Sequence, residues 1–125
     1  MYIKQTRLTD RIQIDQIHEG TGSIKRRSLF KKHSRLPVKF EEWEFEAGVS
    51  EGDHIHEGAE SLEEVYYILT GEGMMTMDGD QIPVSSGDAI MVAPGVDHGV
   101  FNPGPQTMRL LIIWGPPSEE YVDGG

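Results

Sequence analysis

Residues 48–71 read GVSEGDHIHEGAESLEEVYYILTG, a glycine-bounded segment with two imidazoles and a run of alternating side chains. His54 and His56 are one residue apart. On a strand, successive side chains leave opposite faces, so both imidazoles point the same way. Glu64 opens the next expected strand, which runs to Leu69. There Glu64, Tyr66 and Ile68 share one face, and Glu63, Val65, Tyr67 and Leu69 share the other. That period of two predicts β structure rather than helix.

The same pattern extends outward. Short runs of period-two character lie at residues 24–30, 38–45, 65–69, 74–77, 89–92, 99–101 and 108–114. Fifteen glycines and seven prolines punctuate them without gathering into a linker. Asp78-Gly79 reads as a hairpin turn, because both residues tolerate positive φ. Many short strands with regular turn signals predict an all-β sandwich or barrel. The first 20 residues fit either a short helix or an added strand. The length of 125 residues predicts one domain. Its expected parts are an N-terminal arm over about 1–35, a barrel core over about 36–115 and a polar tail at 116–125.

A third imidazole, His98, follows the turn Ala93-Pro94-Gly95. Taken singly, none of these residues is informative: a His-x-His pair is often accidental, and a Glu before a strand is usually solvated. Jointly, three neutral nitrogens and one carboxylate make a borderline donor set that suits Mn, Fe, Ni, Zn, Co or Cu. Four protein ligands leave one or two positions open, as catalytic sites require.

These residues resemble the two motifs of a small single-domain cupin. The first motif is matched by Gly48, five residues, His54, one residue, His56, then Glu64, six residues and Gly71. The gap from His56 to Glu64 is seven residues where the family has three or four. Glu60 would satisfy the shorter gap but then stands too far before Gly71. Glu64 is preferred, with residues 58–62 as a lengthened loop. The second motif is matched by Gly87, Pro94, Gly95, His98 and Asn102, with Ala93 in place of the first proline. The resemblance implies a double-stranded β-helix (jelly-roll) barrel. It also implies that His54, His56, Glu64 and His98 bind one divalent transition metal inside it. Cupins of this size resemble homodimers, often with an N-terminal strand exchanged. Residues 24–30 are the candidate for that strand, since an exposed edge seeks a partner.

Tyr66 is the one candidate catalytic residue. By parity it shares the inward face with Glu64, where it would donate a hydrogen bond or act as a general base; the alternative is a barrel-wall aromatic. Trp43 and Phe45 alternate with Glu42, Glu44 and Glu46, so the aromatics are expected inside. Met75, Met77 and Met91 read as wall or core. Arg109 is expected to face outward, Asn102 to hydrogen-bond a turn or strand end, and His18 and His33 to be exposed. Tyr121 lies in the polar tail.

The charge of 11 − 21 = −10 argues against nucleic acid and anionic membranes as partners. Six of the 11 cations fall within residues 25–35, and ten of the 21 acids within 41–64. The basic run is read as a solvated strand that pairs with the acidic segment, rather than as an anion-binding surface. With no cysteine, disulfides, thiolate metal sites and cysteine nucleophiles are excluded. The N-terminal MYIKQTRLTD has no apolar core, so a cytoplasmic location is expected.

Together these features predict a metal-binding protein that takes a small-molecule substrate. The resemblance implies decarboxylase, lyase, isomerase or dioxygenase chemistry on a polar or carboxylated metabolite. The alternatives are a non-catalytic binding or sensing module and a metal-stabilised structural domain.

Overall fold

A computed structural model describes residues 1–56 and 61–118. The expected loop at 58–62 lies mostly outside the described residues, as do the alternative Glu60 and Tyr121. Ten strands are present among the described residues: β1 (Gln13–Asp15), β2 (Ile24–Ser28), β3 (Lys39–Phe45), β4 (Ser50–His54), β5 (Glu63–Thr70), β6 (Glu72–Met77), β7 (Asp80–Ser85), β8 (Ala89–Val92), β9 (His98–Phe101) and β10 (Met108–Gly115). They form two antiparallel sheets, ordered β1-β2-β3-β10-β5-β8 and β4-β9-β6-β7. This is the all-β jelly roll expected from the alternation. Among the described residues no helix is long and apolar enough to cross a membrane.

The core is made where the inner faces meet. Phe45, Ile68, Leu110 and Ile112 from the larger sheet pack with Met75, Val84 and Val100 from the smaller. Burying each such side chain stabilises the fold by about 1.5–3 kcal/mol. β10 is held on both sides, by β3 and by β5. It buries Met108, Leu110 and Ile112 and leaves Arg109 outward, bonded to Glu44 at 2.8 Å. β3 buries Trp43 and Phe45 as expected. It also buries Glu41, which shares their face. Asp78 (φ +50°) and Gly79 (φ +85°) make the β6–β7 turn. Asn102 is buried and ties the end of β9 to its surroundings: its Nδ2 donates to Phe45 O and Gln106 O, and its Oδ1 accepts from Gly104 N–H.

The basic run pairs with the acidic one across β2 and β3. Lys25 stands opposite Glu44, and Arg27 opposite Glu42. Arg27 reaches Glu42 at 3.4 Å and Asp10 at 2.7 Å. Opposite charges placed this way support the register. β2 ends at Ser28, short of the expected 30, because Phe30 turns the chain at φ +53°. Within the single chain, β2 pairs with β3.

Three strands lie outside the period-two runs. β1 is only three residues long. β4, SEGDH, contains no apolar residue. β7 carries Pro83 between Ile82 and Val84, which is tolerated because β7 is an edge strand. Met91 is also corrected: it is exposed, since Val92 takes the inward position on the edge strand β8.

Candidate metal centre

β4 ends on His54 and β9 begins on His98, and the two are register partners on the smaller sheet. Glu64 comes from β5 on the facing sheet, and His56 stands two residues past the end of β4. The site therefore lies between the layers, with donors from both. His56 is outside the strand that was expected to carry it, yet its ring lies 4.6 Å from that of His54.

Glu64 is the hub. Its Oε1 lies 2.9 Å from His56 Nε2, and its Oε2 lies 2.9 Å from His98 Nε2. Tyr66, fully buried two residues along the same face, donates its hydroxyl to Glu64 Oε2 at 2.8 Å. The Tyr66 oxygen is also 2.9 Å from Oε1 of the buried Glu51. Burial and these two carboxylates hold the Tyr66 phenol well above its ordinary pKa. It therefore stays protonated at neutral pH. For Glu64, burial alone would raise the pKa, but the bonds from His98 and Tyr66 outweigh it and the net shift is downward. Conversely, burial would lower His98, but Glu64 and the Val96 carbonyl raise it.

The remaining ring nitrogens fix the tautomers. His54 Nδ1–H donates to Gly52 O at 3.0 Å, and His98 Nδ1–H to Val96 O at 2.9 Å. Each arrangement leaves Nε2 to face the centre, one of the two ring nitrogens through which histidine binds a metal. His54 is pushed down to about 4, chiefly by burial, so its imidazole is neutral. Its Nε2 is buried and has no hydrogen-bond partner. A buried polar atom without a partner is costly and calls for an occupant. The donor atoms of His54, His56, Glu64 and His98 all lie within 4.8 Å of one another. Around one ion at about 2.1 Å, donors are at most about 4.2 Å apart, so small side-chain shifts suffice. The residues fit a divalent transition metal.

Three groups near the centre were not found in the sequence. Glu51 is buried and pushed up to about 8, mainly by burial. Strict alternation from His54 would have turned Glu51 outward, but a bulge between Glu51 and His54 resets the parity. Arg26 was counted with the solvated basic run. It does pair with acids, but it also borders the site. His18 is exposed, as expected, yet its ring stacks on that of His54 with centroids 3.4 Å apart. No local signal connects residue 18 with residue 54.

A cavity of about 420 Å³ opens beside the centre. His56, Glu64 and Glu51 line it from the barrel, and His18 and Arg26 from the arm. Trp43, Ile112 and Trp114 supply its apolar wall.

Residues 41–114 match the sequence model of the cupin domain, and the chain belongs to that family. Over 116 residues it is 28% identical to the oxalate-binding protein of Thermotoga maritima, covering 90% of this chain and 92% of the relative. The structure of a predicted oxalate decarboxylase from Thermotoga maritima superposes with a TM-score of 0.81 at 25% identity, covering 90% of this chain and 97% of that one. The polyketide cyclase RemF of Streptomyces resistomycificus shares the fold, with a TM-score of 0.79 at 22% identity over 91% of this chain and 79% of that one.

Proposed function

We propose that His54, His56, Glu64 and His98 hold one divalent transition metal (Mn, Fe, Ni, Zn, Co or Cu). We further propose that the protein acts there as a metal-dependent enzyme on a small carboxylated metabolite. The observation that carries this reading is the buried, unpaired Nε2 of His54 beside three further donors. When bound, the metal supplies Lewis-acid chemistry, and redox chemistry if the ion allows it. The chain's own part is orientation. The Gly52 and Val96 carbonyls hold two imidazoles in the right tautomer, and Tyr66 holds the Glu64 carboxylate from behind. Tyr66 thus serves as a hydrogen-bond donor rather than a base. The half-polar cavity suits a small polar ligand with a carboxylate. Oxalate is the leading candidate, given the relative that binds it.

The same relative favours a second reading, in which the site binds such a ligand without turning it over. Elemental analysis of the tag-free protein comes first, followed by incubation of the metal-loaded protein with oxalate and assay for formate and carbon dioxide. About one equivalent of metal with product formation is the expected result. Metal and tight oxalate binding without product would select the binding module. A protein that takes up no metal would overturn both.

We also propose that residues 1–125 act as one domain and associate as a cytoplasmic homodimer. Leu8, Ile12 and Ile14 leave apolar surface exposed along the arm and the edge strand β1, which supports an interface with a second copy. Light scattering after size-exclusion chromatography would show twice the chain mass, and a monomer mass would end that proposal.

A further inference from the structure

The chain between β1 and β2 lies so close to β4 that the contact needs glycine at two positions. Gly52 N–H donates to Ile17 O at 3.1 Å, and Ser50 N–H to Thr21 O at 2.9 Å. Thr21 N–H returns a bond to Ser50 Oγ at 2.8 Å. A Cβ on Gly52 would stand 1.8 Å from His18 O, and one on Gly20 would stand 2.1 Å from Ser50 O. Neither position admits any side chain, because the obstructing atoms are backbone. Within this clamp His18 and Glu19 both adopt left-handed conformations, at φ +51° and +58°. Non-glycine residues adopt that region uncommonly, and two in succession set a sharp, defined path for the chain here.

The clamp fixes where the His18 ring sits. It lies flat on His54, 13° from parallel, and edge-on to His56 at 5.9 Å. Its Nε2 is 4.0 Å from Glu51 Oε2. Among the described residues no group hydrogen-bonds the His18 ring, and the ring borders the same cavity as His56 and Glu64. Glycine or asparagine would meet the backbone requirement at this position more easily. What the imidazole adds is a polar ring beside the opening of the metal centre. His18 is not one of the four gathered donors; its ring nitrogen lies within 4.8 Å of donor atoms of Glu51 and His54, at the edge of the cavity, where it is placed to touch what the ion binds.

We infer that His18 is the specificity-determining residue through which the N-terminal arm grips the ligand, hydrogen-bonding an oxygen of a small carboxylate held at the metal centre. This rests on the reading of the site as a metal–carboxylate centre. It adds that the barrel alone is an incomplete pocket and that the β1–β2 segment supplies the missing contact.

The test uses the full chain freed of metal, titrated with Mn²⁺ and then, once loaded, with oxalate by calorimetry. His18→Asn keeps a residue that tolerates the left-handed turn but shortens the reach, and His18→Gly removes the ring altogether. Both variants should bind Mn²⁺ within about twofold of the parent and bind oxalate about 10- to 100-fold more weakly, as expected for one lost hydrogen bond to a charged group. Their thermal unfolding is recorded in parallel. A loss of oxalate affinity that simply follows a loss of fold would mark His18 as structural and overturn the inference. Parent-like oxalate binding would overturn it while leaving the metal–carboxylate reading intact. A large loss of Mn²⁺ affinity would overturn it by making His18 a metal ligand. Failure of the parent to bind Mn²⁺, or to bind oxalate once loaded, would remove the underlying reading and this inference with it.

Discussion

Glu41 and Glu64 are equally buried, each with 4% of its surface exposed, but their carboxylates are satisfied in different ways. Glu41 is surrounded by fixed donors. Arg26 reaches both its oxygens at 2.8 and 3.0 Å, Trp43 Nε1–H donates at 2.8 Å and Ser28 Oγ at 3.0 Å. Nothing in that group is left over. Around Glu64 the partners are two imidazoles and a phenol, and a third imidazole nearby has a buried nitrogen with no partner. A saturated buried network holds structure together, whereas an unsaturated one built from metal-type donors is arranged for a guest. The two regions are neighbours, since Arg26 and Trp43 line the cavity that Glu64 faces. The contrast therefore reflects chemistry rather than depth.

The largest effect should come from removing a donor at the unsaturated centre. His56→Ala is expected to lower metal affinity by more than about 100-fold, judged against the 10- to 100-fold that supporting residues alone contribute. Glu63→Ala, one residue from Glu64 but on the outer face, should leave metal content unchanged by elemental analysis. Equal losses in both would show that the face assignment of β5 is wrong.

At the saturated centre the cost should fall on stability. Arg26→Ala strands the Glu41 carboxylate and should cost about 3 kcal/mol in urea unfolding, at the low end of the range because Arg26 is one-quarter exposed. Metal affinity should barely change. Replacing both partners, Arg26→Met with Glu41→Leu, should recover only part of the loss, because the buried Trp43 Nε1–H then has no acceptor. If Arg26→Ala abolished metal binding instead, the separation of the two regions would fail.

Tyr66→Phe lies between these cases. It removes the hydroxyl that joins Glu51 to Glu64 and should cost about 1–2 kcal/mol by chemical denaturation, with one equivalent of metal retained. The smallest effect belongs to Arg109→Ala. Its pair with Glu44 is partly solvated, so the loss should stay below about 1 kcal/mol and shrink in high salt.

The apolar strands were legible in the sequence because alternation is a local property. The run at 89–92 coincides with β8, and Asp78-Gly79 makes the turn it encodes. β4 was legible only through the His54–His56 pair, because it contains no apolar residue, and β7 was hidden because Pro83 interrupts a strand that backbone pairing with β6 holds. The four candidate donors could be picked out because their order along the chain resembles the two cupin motifs. Glu51 could not, because a single extra residue in β4 reverses which side chains face inward, and no residue type announces that bulge.

The chain's own order of residues was enough to set the period of its strands, the inward face of β5 and the presence of three imidazoles and a carboxylate at compatible spacings. Whether Arg26 is a surface cation or the partner of a buried Glu41, and whether His18 is a stray exposed histidine or a wall of the cavity, depended on pairings between distant segments. Those pairings rest on long-range backbone contact, of the kind that lets Gly20 and Gly52 press the arm onto β4. A two-residue period carries no information about them, because the energy that selects them arises only when the sheets close on each other.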